Sequence, residues 1–388
     1  MAVPKLRFKE FDNQWDKTTI NDQAQTVTSG SRDWAQYYSE SGDKFIRMTN
    51  LVRDGIYLDL SDLKFVQLPK DSNEGKRTSL KFGDILISIT AELGKLGWIS
   101  EGLGTAYINQ HTALVRMKDS VDSKFVAYSL STEKYNNKLN SLNDSGAKAG
   151  LNLGTIRNFE LIVPPKEEQT KIASFLSAMD EKISQLNQKH ALLSQYKQGM
   201  MQKLFSQQFR FKADDGSEFG EWKSVFLGDI SKPQQWKTIS SSELTEIGYP
   251  VFGANGYIGF YPKYNHINET IAVTCRGATC GEVTLVKAKS YITGNAMSID
   301  EINENEHSTL YIYYALCFRG FKDVISGSAQ PQIVGNAIRK VTFQIPCLEE
   351  QTKIANFLST IDQKIEVVAQ QIEQAKMWKK GLLQQMFV

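Results

Sequence analysis

The string EEQTKIASFL at 167–176 returns as EEQTKIANFL at 349–358, with nine of its ten residues unchanged. A repeat at that distance limits the architecture more than any bulk property does: two equivalent halves are expected. The likeness runs well past the ten residues. EEQTKIASFLSAMDEKI (167–183) answers EEQTKIANFLSTIDQKI (349–365), and the two runs close on QKLF (202–205) and QQMF (384–387). Upstream, IRNFELIVPP (156–165) parallels IRKVTFQIPC (338–347): alternating apolar residues, a proline, then the acidic start of a helix. SGAKAGLNLG (145–154) and SGSAQPQIVG (326–335) are loops that open on Ser-Gly and close on Gly. GDILIS (83–88) and ETIAVT (269–274) read as buried strands, FVAYSL (125–130) and YIYYAL (311–316) as short helices with Tyr128 matching Tyr314. LRFKEFDNQW (6–15) resembles FRFKADDGSEFGEW (209–222). Between these edges the copies part, because TSGSRDWAQYYSESGDKF (28–45) finds no clear counterpart in YPVFGANGYIGFYPKYN (249–265). Shared ends with unlike middles describe one frame carrying two different readers.

The repeated motif opens two long helices. Apolar residues three and four apart make one stripe through Ile172, Leu176, Met179, Ile183, Leu186, Leu193, Met200 and Leu204. A second runs through Ile354, Leu358, Ile361, Ile365, Val368, Ile372, Ala375, Leu382 and Met386. His190 and Lys197 interrupt the first stripe and Lys379 the second, at the place matching Lys197. Neither run contains Pro, and Gly199 and Gly381 are equivalent. Glu167, Glu168, Glu349 and Glu350 stand where the helix dipole favours carboxylates. About 40 residues at 1.5 Å each make each helix roughly 60 Å long. A stripe of that length needs a partner. A homodimeric coiled coil would supply one, but the second stripe in the same chain supplies it already.

Connectivity sets the direction. The first helix leaves one globular region at Pro165 and delivers the chain to the next near Phe209; the second leaves at Pro346 and returns. The expected fold is α+β: two α/β domains, 1–165 and 207–347, separated by long antiparallel helices at 166–206 and 348–388 that form a coiled-coil rod. Such a duplicated, pseudo-two-fold dumbbell should bring its termini together.

Apolar content of 41% and charged content of 23% suit a soluble globular protein, and no run approaches 18 apolar residues, so no membrane partner is expected. The first residues lack the apolar core of a signal peptide, which makes the cytoplasm the expected compartment. A net charge of +2 argues against a general polyanion coat but is compatible with DNA binding through local basic loops. Cys275, Cys280, Cys317 and Cys347 lack zinc-site spacing and read as buried, inert thiols.

Patterns for catalysis are missing. No Asn/Asp-Pro-Pro-Phe/Tyr stretch is present to hold an adenine amino group, and no G-x-x-x-x-G-K-[ST] to bind ATP. GANGYIG (253–259) has the wrong spacing for a dinucleotide loop. PKDSNEGK (69–76) imitates a nuclease Asp…Glu-x-Lys, but its carboxylates are too close in sequence to lie on adjacent strands. His111, His190, His266 and His307 are scattered in sequence, with no evident pairing to a nucleophile. A non-enzymatic chain without metal or cofactor is expected.

A Pro-Pro or Pro-Cys strand end followed by EEQTKIA-x-FL, used twice, with LRF..F...W near the start, resembles the specificity subunit of type I restriction–modification systems. The resemblance spans Leu6 to Phe387. It implies that each globular region is a target recognition domain reading one half of a bipartite, asymmetric site in double-stranded DNA. It implies further that the helices measure the spacer, that two methyltransferase subunits bind around them, and that restriction–translocase subunits join the complex. S-adenosylmethionine, ATP and Mg would then belong to those partners. A coiled-coil scaffold that assembles proteins without DNA specificity is the alternative.

Reading bases and phosphates calls for Arg, Lys, Asn, Gln and Ser on rigidly held loops. In the first half the candidates are Ser29, Ser31, Arg32, Lys76, Arg77, Lys148 and Asn152. In the second they are Gln235, Lys237, Asn255, Tyr257, Arg276, Gln330 and Gln332. The paired Ser-Gly loops are favoured, since equivalent loops with different side chains suit two different half-sites. Alternatively the glycines only turn the chain and the charges face solvent.

Overall fold

The structure, a computed structural model, describes residues 4–69, 75–142, 150–254, 256–327 and 330–387. The chain divides into two compact units: Met1–Leu186 with Gln371–Val388, and Asn187–Gln370.

The first unit begins with β1 (Asp16–Thr19), α1 (Ile20–Gln23), β2 (Ala24–Ser29), β3 (Tyr38–Ser39), β4 (Asp43–Ile46) and β5 (Lys64–Val66). It continues with β6 (Ile85–Ser88), β7 (Leu96–Trp98), β8 (Ala106–Ile108) and β9 (Thr112–Met117). Three short helices follow, α2 (Ser123–Ser131), α3 (Glu133–Ser141) and α4 (Leu153–Arg157), then β10 (Glu160–Val163) and the long α5 (Lys166–Phe205). One antiparallel sheet has the order β2-β9-β6-β7. Its β6 is buried at every position, so it reads as a continuous apolar run and not as an alternation. A second sheet, β3-β5-β4-β8, contains the parallel pair β4–β8, and β1 pairs with β10 just ahead of α5. The Asp122 carboxylate caps α2 by accepting from the Phe125 N–H at 3.0 Å, and the fully buried Phe125 and Tyr128 then join Trp15, Ile172 and Leu176 in the core.

The second unit contains β11 (Lys223–Phe226), α6 (Leu227–Ile230), β12 (Lys232–Gln235), β13 (Tyr249–Gly253) and β14 (Gly256–Tyr261). Next come β15 (Thr270–Thr274), β16 (Val283–Val286), β17 (Tyr291–Ile292) and β18 (Ala296–Asp300). The chain ends with α7 (Thr309–Arg319), α8 (Gly335–Arg339), β19 (Thr342–Ile345) and α9 (Leu348–Met386). Here the order is β12-β18-β15-β16, the parallel pair is β13–β17, and β11 pairs with β19 ahead of α9. The order of the four-stranded sheet, the parallel pair and the antiparallel pair ahead of the long helix all repeat those of the first unit. The middles that share no recognisable sequence thus share most of a topology, the second sheet being β14-β13-β17 with no counterpart of β3.

α5 and α9 have 40 and 39 residues. Asp180 of α5 pairs with Lys379 of α9 in the first unit, and Lys197 of α5 with Asp362 of α9 in the second. As the numbering rises along one helix it falls along the other, so the two are antiparallel. Of the stripe residues, Ile172, Leu176, Met179, Leu186, Leu204, Ile354, Leu358, Ile361, Val368, Ile372, Leu382 and Met386 are buried. Ile183, Leu193 and Ile365 are half-buried. Near the ends of the chain the Leu6 N–H donates to the Gln385 carbonyl at 2.9 Å.

The duplicated EEQ is a joint. In the first turn of α5 the fully buried Glu168 accepts from Arg7, and in α9 the fully buried Glu350 accepts from Arg210 and, at 3.0 Å, from the Trp222 indole. Gln169 accepts the Asp122 N–H at 3.0 Å and donates to the Pro164 carbonyl at 2.7 Å. Gln351 repeats this with the Ser308 N–H and the Pro346 carbonyl, both at 2.9 Å. Each glutamine thus ties the start of a long helix to the cap of the short helix beside it.

The cysteines depart from expectation. Cys275 is buried and Cys280 half-buried, but Cys317 and Cys347 are exposed. Cys317 lies in the last turns of α7, and Cys347 between β19 and α9, where neither is enclosed by a core. Among the described residues, no helix is long and apolar enough to cross a membrane.

Candidate nucleic-acid interface

In the first unit the sheet β2-β9-β6-β7 gathers most of the candidate residues at one end. β2 finishes at Ser29, opposite Ala113 near the start of β9, and β6 finishes at Ser88, opposite Thr112. The chain leaving β2 passes so close to the Ile108–Asn109 backbone that a Cβ on Gly30 would stand 2.1 Å from the Ile108 oxygen. Only glycine fits, and the close approach seats Ser31 against Asn109, with the Ser31 carbonyl accepting from the Gln110 N–H at 3.0 Å. Arg77 reaches this loop, donating to Thr28 Oγ1 and, at 3.0 Å, to the Ser29 carbonyl. Its guanidinium braces the loop that displays Ser29, Ser31 and Arg32, although part of it remains exposed. Arg32 and Lys76 are exposed.

The segment that follows the first Ser-Gly loop joins the same end. Thr90 bridges to Gly150, and the Leu151 N–H donates to the Ile89 carbonyl at 2.9 Å. Exposed Asn152 caps α4, its Oδ1 accepting the Thr155 N–H at 2.8 Å. Thr90 Oγ1 meets His111 Nδ1 at 2.8 Å, and Gln110 meets His111 Nε2 at 3.0 Å. Thr90, Gln110 and His111 thus belong to this cluster although sequence reasoning passed over them as site residues. Their one signal was position, at the turns flanking two buried strands. Lys148 lies outside the described residues.

The second unit uses the corresponding end of β12-β18-β15-β16. Arg276, just past β15, bridges to Gln332, and the Ile333 N–H donates to the Cys275 carbonyl at 3.0 Å, as Leu151 does to Ile89. Gln332 and Ser326 exchange backbone bonds of 2.8 and 2.9 Å at the base of the second Ser-Gly loop. Arg276, Gln330 and Gln332 are exposed. The Gln235 amide is turned back to the Gly294 carbonyl at 2.8 Å and to Cys275 Sγ at 3.0 Å. Burial raises the Cys275 thiol above its ordinary range, so it is no reactive thiolate. Exposed Lys237 is anchored through its carbonyl by the Tyr291 hydroxyl at 3.1 Å. The turn before β14 is tied in where the Ala254 carbonyl accepts from Thr274 Oγ1 at 3.1 Å. Half-exposed Tyr257 stands on β14 beside Phe252 and Phe260. Asn255 lies outside the described residues.

Each unit therefore presents, at the same end of the same four-stranded sheet, a loop cluster braced by backbone bonds, with Arg, Lys and Asn at its surface in the first unit and Arg, Lys and Gln in the second. The side chains differ between the units while the scaffold does not. A pair of differing readers on a duplicated frame joined by long helices defines the class of molecule, and comparison with known proteins agrees. Residues 13–195 and 220–377 match the family described as type I restriction modification DNA specificity domain, and the chain belongs to that family. The putative type I restriction enzyme MjaX specificity subunit of Methanocaldococcus jannaschii is 26% identical, over 98% of this chain and 94% of its own. The crystal structure of the type I restriction–modification S subunit from M. genitalium superposes with a TM-score of 0.69 at 17% identity, covering 100% of this chain and 99% of that one. A chain from a study of complex assembly and conformational transition of the type I restriction–modification system gives 0.55 at 14% identity, covering 97% and 98%.

Proposed function

We propose that this chain supplies sequence specificity to a type I restriction–modification complex, each unit reading one half of a bipartite, asymmetric site in double-stranded DNA. The observation that carries this is the matched pair of braced loop clusters. One sheet end displays Ser29, Ser31, Arg32, Lys76 and Arg77, and its counterpart displays Lys237, Arg276, Gln330 and Gln332. Arginine and glutamine make paired hydrogen bonds to guanine and adenine edges in the major groove, while lysine and backbone amides hold phosphates. Different side chains on one scaffold suit two unlike half-sites. The helices α5 and α9 act as the spacer and as the surface around which two methyltransferase subunits assemble, with restriction–translocase subunits completing the complex. The chain itself is non-catalytic and carries no cofactor; S-adenosylmethionine, ATP and Mg serve the partner subunits.

Random-site selection with the complex reconstituted from this chain and its methyltransferase partner tests the proposal. One bipartite consensus with a fixed gap is the expected result. Recovery of no consensus, with assembly intact, would establish the protein-only scaffold instead.

A further inference from the structure

Two triads stand where the short helices of the units meet the long ones. In the first unit the Tyr128 hydroxyl, on α2, donates to Asp180 Oδ2 at 2.6 Å. Lys379 of α9 pairs with Asp180 Oδ1, and its ammonium lies 5.5 Å from the centre of the Tyr128 ring. In the second unit the Tyr314 hydroxyl, on α7, donates to Asp362 Oδ2 at 2.7 Å. Lys197 of α5 pairs with Asp362 Oδ1 at 2.6 Å and lies 5.2 Å from the Tyr314 ring centre. Lys197 and Lys379 are the residues that break the apolar stripes at matching places. The Asp180 and Lys379 side chains are only 16% and 12% exposed.

A covered ion pair adds little net stability over an apolar replacement of similar size. What it supplies is intolerance of misalignment, as a polar residue does in the core of a coiled coil. We propose that the two Tyr–Asp–Lys triads fix the register in which α5 and α9 pair. They thereby act as positioning residues for the gap between half-sites, a role that rests on the function proposed above.

Sliding α9 by one heptad along α5, in either direction, keeps apolar stripe against apolar stripe. It would set Asp180 opposite Ile372 or Met386 and Lys379 opposite Ala173 or Asn187. Asp362 would face His190 or Leu204, and Lys197 would face Ala355 or Ala369. No slipped register restores a lysine–carboxylate pair. The tyrosines add a tie to each globular core: burial, reinforced by Asp180, holds the Tyr128 phenol far above its ordinary range, so it remains a donor. Burial and Asp362 do the same for Tyr314.

Spin labels at exposed Lys182 and Glu373 report the register, in a background with exposed Cys317 and Cys347 replaced by serine. The intact triads should give one narrow distance. The decisive variant makes both triads apolar: Asp180→Leu, Lys379→Met and Tyr128→Phe together with Asp362→Leu, Lys197→Met and Tyr314→Phe. It leaves no unpaired charge and should fold, yet show added populations offset along the axis by about 10 Å, one heptad at 1.5 Å per residue. Restoring either triad should return the single distance. One narrow distance in the fully apolar variant would overturn the proposal, whatever the DNA result. If the populations multiply while site selection still returns a single gap, the register proposal stands and the measuring role of the helices falls.

Discussion

Arg7 grips Glu168 through two parallel bonds, Nε to Oε1 at 2.7 Å and Nη2 to Oε2 at 2.8 Å, with the carboxylate wholly buried. The contact fastens the segment ahead of β1 to the first turn of α5, and the guanidinium fork fixes angle as well as charge. Arg7→Ala leaves a buried carboxylate without its partner and should cost about 3–5 kcal/mol, read from urea denaturation. Arg7→Lys should recover only part, because an ammonium cannot make both bonds. Arg210→Ala should lose less, because the Trp222 indole still donates to Glu350.

Glycine substitutions should separate frame from reader. Gly30→Ala forces a Cβ into the Ile108 carbonyl, so it should displace Ser29–Arg32 and weaken DNA binding in a gel-shift assay with the assembled complex. Gly199→Ala and Gly381→Ala meet nothing within 4 Å on the long helices. Each should raise stability by about 1 kcal/mol in thermal unfolding, with DNA affinity unchanged.

Acid should loosen the second unit through Asp300. Burial alone would raise its pKa, but hydrogen bonds from His266, Ser298 and Gln234 outweigh burial and hold the carboxyl below the usual aspartate range. A depressed folded value means the stabilisation is fully present above the unfolded value and lost as pH falls through the folded one. Wild type should therefore lose more stability than Asp300→Asn between about pH 5 and the acid limit, measured as the difference between their unfolding profiles. Parallel profiles would show that Asp300 makes no such contribution.

The two loop clusters should be separable in their effects on DNA. Arg276→Ala should relax recognition of one half-site and leave the other intact, and Arg32→Ala should do the converse, by site selection with the complex. A contact that proves to be to phosphate and not to a base should weaken binding to all sequences and reduce the salt slope by about one.

The frame was readable because its contacts are local or repeated. The helices follow from stripes of three- and four-residue spacing, and the EEQ joint from a string written twice. The readers were less readable. Nothing in TSGSRDWAQYYSESGDKF or YPVFGANGYIGFYPKYN announces that β4–β8 and β13–β17 are equivalent parallel pairs, because strand pairing needs only alternation and burial, which many sequences supply. Gln110 carries no signal in the sequence and His111 reads there only as one of four scattered histidines; the fold sets them against Ser31 and Thr90. Lys197 and Lys379 looked like flaws in an apolar seam, since their partners Asp362 and Asp180 lie on the other helix and far away in sequence.

Gln169 and Gln351 join helix to domain through hydrogen bonds to main-chain atoms, the Asp122 and Ser308 N–H groups and the Pro164, Pro346 and Glu306 carbonyls. A fastening that asks nothing of its neighbour's side chains is blind to what those side chains are. At these two points a globular part can exchange side chains without loosening from its helix, whereas the Arg7–Glu168 and Tyr128–Asp180 contacts each demand particular ones.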